Sequence, residues 1–264
     1  MLLAIDIGNT NITLGAYDGE KLLFVSRMYT ERHKTSDEFA AALLNIFKLY
    51  EVNAGDFSGV VMSCVVPEIE QSVIRAVKMI TGKSPVSVGA ENFGNFEIDV
   101  LPVSAIGADL ICAAVAAKKK YPLPCLIADL GTATKIIVID ESGKFVGCTI
   151  SPGVKISMDA LAEHASLLPS VSFTTPEKAV GANTAECIRS GVVFGTAAML
   201  DGLMKRIMAE LSIKKASVIA TGGYSKGIIP CCETKIIYDE NLLLDGLLEI
   251  YKESPNGKKE IENG

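Results

Sequence analysis

No C-x-x-C pair occurs in this 264-residue chain, and its two histidines, His33 and His164, stand far apart. A zinc site needs several nitrogen and sulfur ligands at close spacing, so zinc chemistry is not expected. There is no G-x-x-x-x-G-K-[ST], which excludes a P-loop, and no G-x-G-x-x-G after a strand, which leaves a dinucleotide fold unsupported. No run reaches ~20 continuous apolar residues, so no membrane span is expected. The apolar start, Met1 to Ile5, is too short for a signal peptide and lacks its flanks, so the expected location is cytoplasmic. Basic residues are not in excess: the net charge is −6, which argues against a nucleic-acid partner.

What is present is a core-sized supply of apolar residues, 49% of the chain, enough for one large or two small domains. Seven cysteines, an odd number mostly in apolar segments, read as buried, reduced thiols. Cys231 and Cys232 are adjacent, and the same reading covers them.

One pattern occurs twice. Ala4-Ile5-Asp6-Ile7-Gly8-Asn9-Thr10 and Ile127-Ala128-Asp129-Leu130-Gly131-Thr132-Ala133-Thr134 are both apolar strands ending in Asp-x-Gly and a small polar run. Each is followed by a second β-rich segment and a turn, Asp18-Gly19 or Glu141-Ser142-Gly143. A strand–turn–strand unit used twice predicts a duplicated fold with two loops facing each other across a cleft. Small residues there let backbone N–H groups reach phosphate oxygens, and the carboxylates can hold a cation. A single Asp-x-Gly is usually only a turn. Two copies in matching contexts, with Thr221-Gly222-Gly223 after a third strand, favour a nucleotide cleft.

The remaining pattern predicts strands at Leu2–Ile5, Ile12–Tyr17 and Lys21–Tyr29. A capping box, Thr35-Ser36-Asp37-Glu38, opens a helix to about Tyr50. A strand Gly59–Val65, a helix from Pro67, a short strand Val86–Val88 and an Ala-rich helix from Gly107 to Lys120 follow. Tyr121-Pro122-Leu123-Pro124 marks the expected boundary between domains 1–120 and 121–253, with 254–264 as a frayed polar tail. The second half gives strands Cys125–Asp129, Lys135–Asp140 and Lys144–Thr149. Helices are expected over Lys155–Leu168, from Asn183-Thr184 to about Leu211, and over Glu240–Lys252, with a strand at Ala216–Ala220. Gly191 and Gly195 share a face of the long helix, fitting either internal packing or a subunit interface.

In order along nearly the whole length, the chain resembles the type III pantothenate kinases. The residues that carry this are Asp6-Ile7-Gly8-Asn9-Thr10-Asn11, Thr35-Ser36-Asp37-Glu38, Gly107-Ala108-Asp109 and Asp129-Leu130-Gly131-Thr132-Ala133-Thr134. Ser151-Pro152-Gly153, Gly181-x-Asn183-Thr184 and Ala220-Thr221-Gly222-Gly223 complete the set. The resemblance implies two ribonuclease-H-like domains of the actin-like ATPase and sugar-kinase type, with mixed sheets flanked by helices. It implies phosphoryl transfer from ATP to pantothenate, the first step of coenzyme A biosynthesis, by a homodimer.

It also implies roles. Asp6, Ile7, Gly8, Asn9, Thr10, Asn11, Ile12 and Thr13 would wrap the ATP phosphates, with Thr132 contacting them from the other domain. Asp6 would organise Mg²⁺ through water, and Asp129 would hold a monovalent cation, K⁺ or NH4⁺. Asp109 would be the general base, against a purely structural role in the first helical turn. Gly107, Ala108, Leu110 and Thr184 would line the acceptor, Thr184 otherwise being a helix cap. Two departures fall on the acceptor side. Leu110 stands where the family has Arg, and no Tyr occurs between Tyr50 and Tyr121, where the family has one near Val100. Loss of a charge-assisted contact to the acceptor carboxylate predicts weaker use of pantothenate. Two alternatives follow: a kinase for another small hydroxylated acceptor, or a non-catalytic regulatory paralogue.

Overall fold

The computed structural model describes residues 1–89, 92–94, 96–100 and 102–262. By packing, the chain divides into two units. The first comprises Met1–Phe96, Leu101–Ala116 and Leu242–Gly264, and the second Glu97–Val100 and Ala117–Asn241.

The first unit is built on strands β1 (Leu2–Ile7), β2 (Asn11–Asp18), β3 (Lys21–Tyr29), β4 (Gly59–Cys64) and β5 (Val86–Ser87). They form one sheet in the order β3-β2-β1-β4-β5. β1 is antiparallel to β2 and parallel to β4. Helices α1 (Ser36–Leu49) and α2 (Pro67–Thr81) pack on each other. The α1 capping box is formed as expected, with Thr35 and Glu38 satisfying each other's backbone N–H groups. Leu3, Ile5 and Ile7 of β1 join Phe39, Leu43 and Phe47 of α1 and Ile69, Val73 and Val77 of α2 in one core. Side chains alternate across a strand, so Leu2, Ala4 and Asp6 face the other way.

That second face belongs to α3 (Ala108–Lys120) and α7 (Leu242–Glu253). α7 packs against β1, β2 and β4, and the Tyr17 hydroxyl donates to Asp245 Oδ1 at 2.8 Å. Gly246 is pressed against α3, where a Cβ would lie 1.9 Å from the Cys112 carbonyl oxygen.

The second unit repeats the plan with β6 (Cys125–Leu130), β7 (Ala133–Ile139), β8 (Phe145–Pro152), β9 (Ser217–Thr221) and β10 (Ile237–Tyr238). Its order is β8-β7-β6-β9-β10, the same topology element for element. β6 is antiparallel to β7 and parallel to β9, as β1 is to β2 and β4. The helices here are α4 (Val154–His164), α5 (Thr184–Glu210) and the single turn α6 (Ser225–Ile228). Leu126, Ala128 and Leu130 of β6 pack with Val193, Ala197, Leu200 and Met204 of α5. By length and composition alone α5 could cross a bilayer. One side of it is nevertheless committed to this core, while Gly191, Gly195 and Ala198 are exposed on the other.

The duplicated ribonuclease-H-like architecture is as expected, but the packing boundaries differ from those read off the sequence. The first unit ends within α3 at Ala116, short of residue 120, and 242–253 belong to it and not to the second. An apolar stripe announces that a helix must be buried, not against which sheet. The tail is also more ordered than its polarity suggests: Pro255–Glu262 form helix α8, packed on α7, while residues 263–264 lie outside the described part.

The close seat of α7 makes a stability prediction. Gly246→Ala forces a methyl group into the Cys112 backbone and is expected to cost about 1–3 kcal/mol in urea unfolding. Unchanged stability would contradict the packing of α7 on α3.

Candidate functional site

Each Asp-x-Gly sequence sits where the central strand ends. Asp6 is the penultimate residue of β1, and the register places it beside Ser63 of β4 and Thr13 of β2. The Ser63 hydroxyl, buried, donates to Asp6 Oδ1 at 2.5 Å. A hydrogen bond to a carboxylate is charge-assisted and fixes its rotamer. The following loop is held from two sides. Gly8 N–H donates to the Asn11 carbonyl at 3.0 Å, and the Thr30 hydroxyl donates to the Gly8 carbonyl at 2.6 Å. Arg32 Nη2 donates to Asn9 Oδ1 at 3.0 Å while its Nη1 pairs with Glu68. Asn9, Thr10 and Asn11 themselves are exposed, so this supported loop presents its polar tip to solvent.

Asp109 lies in the first turn of α3. Its Oδ1 accepts the Leu110 N–H at 2.9 Å and folds back over Gly107, where a Cβ would stand 2.4 Å from that oxygen. Gly107 is thus the residue that lets the carboxylate lie across the helix start. The first-turn position suits a negative charge in any case. Cys112 follows Asp109 by one turn of α3. Cys112 is fully buried, and its pKa is pushed well up, first by burial and then by the charges of Asp6 and Asp109. The Ser63 hydroxyl opposes that rise. Asp6 and Ser63 thus share a hydrogen bond, and Asp109 and Cys112 lie one turn apart on α3. Leu110, by contrast, is 6% exposed. An Arg there would carry a guanidinium into a nearly closed environment, which is costly without a partner.

In the second unit Asp129 occupies the position of Asp6. The register sets it beside Thr221 of β9, where Asp6 has Ser63, and beside Lys135 of β7, where Asp6 has Thr13. The Lys135 ammonium lies 2.7 Å from Asp129 Oδ2. Gly222 lies at φ +92° against the Leu130 backbone, and the Tyr224 N–H donates to the Leu130 carbonyl at 3.2 Å. Only glycine takes that conformation and approach without strain, which accounts for Thr221-Gly222-Gly223.

Thr184 begins α5, but it is not the cap. Asn183 is, accepting the Glu186 N–H at 3.0 Å. Glu186 reaches back to the Ala182 N–H at 2.8 Å, and that bond first, then the Asn183 side chain, hold its carboxyl below the usual range. Thr184 is thereby released from capping and lines a cavity of about 380 Å³ with Leu161, Leu168, Cys187 and Gly191. Sequence reading missed Ser63 and Arg32. The pairing of Ser63 with Asp6 needs a parallel register that no local pattern encodes.

Among the described residues, no group of three or more His, Cys, Asp or Glu side chains is arranged to hold a metal. Mg²⁺ does not require one, because it binds through one or two carboxylates, substrate phosphates and retained waters. The oriented Asp6 carboxylate fits that need. The Asp129 carboxylate, which the resemblance assigns to a monovalent cation, is instead engaged by Lys135.

A profile of the type III pantothenate kinases matches residues 2–206. A type III pantothenate kinase from Dehalococcoides mccartyi is 37% identical over 251 residues, covering 95% of each chain. One from an Exiguobacterium species is 38% identical over 252 residues, covering 96% of this chain and 98% of the relative. This chain belongs to the type III pantothenate kinase family. Solved structures confirm the fold. The activator of the 2-hydroxyisocaproyl-CoA dehydratase from Clostridium difficile, determined with bound ADPNP, superposes with a TM-score of 0.59 at 15% identity. It covers 99% of this chain and 97% of its own. The (R)-2-hydroxyglutaryl-CoA dehydratase component A from Acidaminococcus fermentans gives 0.54 at 16% identity, over 95% and 96%.

Proposed function

We propose that this protein transfers the γ-phosphoryl group of ATP to the hydroxyl of pantothenate, the first step of coenzyme A biosynthesis. The observation that carries the reading is the Asp6 carboxylate held by Ser63 at the end of β1, with Asp109 in the first turn of α3, in a chain of this family. The β1–β2 turn and its flanks, Asp6, Ile7, Gly8, Asn9, Thr10, Asn11, Ile12 and Thr13, of which Asn9, Thr10 and Asn11 are exposed, receive the ATP phosphates, and Thr132 is a further phosphate contact. Backbone N–H groups in a loop of small residues make such a seat. Mg²⁺, organised by Asp6, would neutralise charge on the phosphates. Arg32, tied to Asn9 yet half-exposed, adds a positive charge beside the loop.

Asp109 acts as the general base. The acceptor oxygen attacks the γ-phosphorus, its proton passes to the Asp109 carboxylate, and the bond to the ADP oxygen breaks. Phosphoryl transfer asks little more of the protein than this positioning and charge stabilisation. Gly107, Ala108, Leu110 and Thr184 are the acceptor-side residues, with Thr184 free to hydrogen-bond because Asn183 carries the cap. Leu110, 6% exposed, offers no hydrogen-bonding group, so the acceptor carboxylate must be met by other groups.

The exposed side of the α4–α5 pair supports assembly as a homodimer. Ile156 and Leu161 of α4 are exposed, Leu167 is 94% and Val180 85% exposed, and the glycine face of α5 lies beside them. A Cβ at Gly191 or Gly195 meets nothing within one chain. A patch of this kind marks an interaction surface.

Two outcomes test the reading. Asp109→Asn should abolish phosphorylation of pantothenate while ATP affinity by calorimetry stays near wild type, since the amide keeps the shape but cannot take the proton. Near-normal turnover would exclude the base. Light scattering at micromolar concentration should give a dimer in which exposed Cys187 resists thiol reagents. Gly195→Glu should yield a monomer in which Cys187 reacts, whereas a fully active wild-type monomer would overturn the assembly.

A further inference from the structure

The two copies of the strand-end aspartate differ at one cross-strand position, and the difference is a charge. Asp6 is paired in the antiparallel register with Thr13, Asp129 with Lys135. Residues directly opposite in such a pair project to the same face, a few ångströms apart. In the second unit this places the Lys135 ammonium 2.7 Å from Asp129 Oδ2, with both side chains largely removed from solvent at 13% and 11% exposure. The contact is a charge-assisted hydrogen bond, and a buried pair of this kind is costly to separate because each partner is left with an uncompensated charge.

We infer that Lys135 takes the place of a monovalent cation at Asp129, so that nucleotide binding and phosphoryl transfer by this protein do not require K⁺ or NH4⁺. The residues present do not suit a bound alkali ion. A second cation on the Asp129 carboxylate would stand within ion-pair distance of an ammonium, and like charges at that separation repel strongly where water is scarce. An alkali ion also asks for several oxygen ligands, whereas the ammonium carries its own three donors and needs only acceptors. The ammonium is delivered by the hairpin itself. Asp129 and Lys135 flank the turn through Gly131, Thr132 and Ala133, so the positive charge is fixed one strand away from the second phosphate-motif loop. The first unit has Thr13, an uncharged residue, at that place.

The inference rests on the phosphoryl-transfer reading for its consequence, and the experiment separates the two. ATP affinity by calorimetry and turnover with pantothenate are measured in potassium chloride and in tetramethylammonium chloride at equal ionic strength. In the wild type both quantities are expected to agree within about twofold between the salts. In Lys135→Met, ATP affinity is expected to fall by about tenfold or more in tetramethylammonium chloride and to recover when potassium replaces it. A wild type that binds ATP tightly only with potassium overturns the inference, and so does a Lys135→Met variant as indifferent to the salt as the wild type. Should Lys135→Met fail to fold, the wild-type comparison decides alone, with Lys135→Arg expected to stay indifferent because it keeps the charge. Absence of turnover with pantothenate in either salt, with ATP still bound, counts against the phosphoryl-transfer reading and leaves the affinity comparison to judge Lys135.

Discussion

A carboxylate placed at the end of a central strand, on the face away from the main helix pair, is the constraint on which this structure depends. In the first unit, odd-numbered residues of β1 are buried against α1 and α2, so the two-residue period of a strand sends Asp6 to the opposite side. α3 lies on that side and carries Asp109 in its first turn. Ser63, brought alongside by the parallel register, fixes the Asp6 rotamer. The placement of these carboxylates thus needs no dedicated scaffold. It is set by the pleat, the register and the start of one helix, and α7 closes the same face from the far end of the chain.

The second unit uses the same plan with a different electrostatic solution. Its strand-end aspartate is neutralised across the hairpin by Lys135. Duplication has produced two units of like topology that differ in the residue set across the hairpin from the aspartate. The first sets a hydroxyl side chain opposite its aspartate, and the second an ammonium. This division follows from one residue in each second strand, Thr13 and Lys135.

Much of this was legible in the sequence, for identifiable reasons. The paired Asp-x-Gly runs, the capping box at Thr35 and the Ala-rich α3 are local signals, and the elements they mark appear where expected. What escaped was non-local. The Asp129–Lys135 pair depends on a hairpin register, and Ser63 with Asp6 on a parallel one. The return of 242–253 to the first sheet escaped because amphipathicity names no partner. Thr184 was weighed as a cap, but Asn183 takes that role, and the two adjacent residues are distinguished only by backbone geometry. The burial of Leu110 was also invisible, because a leucine early in a helix reads alike whether it faces substrate or core.

The account stands most directly on the identity of the acceptor. Wild-type protein incubated with ATP and Mg²⁺ should convert pantothenate to a singly phosphorylated product, with one ADP formed for each product molecule, as followed by mass spectrometry and phosphorus NMR. Other small hydroxylated acids in the same assay should remain unchanged. ATP binding without phosphorylation of pantothenate, together with transfer to a different hydroxylated acid, would contradict it.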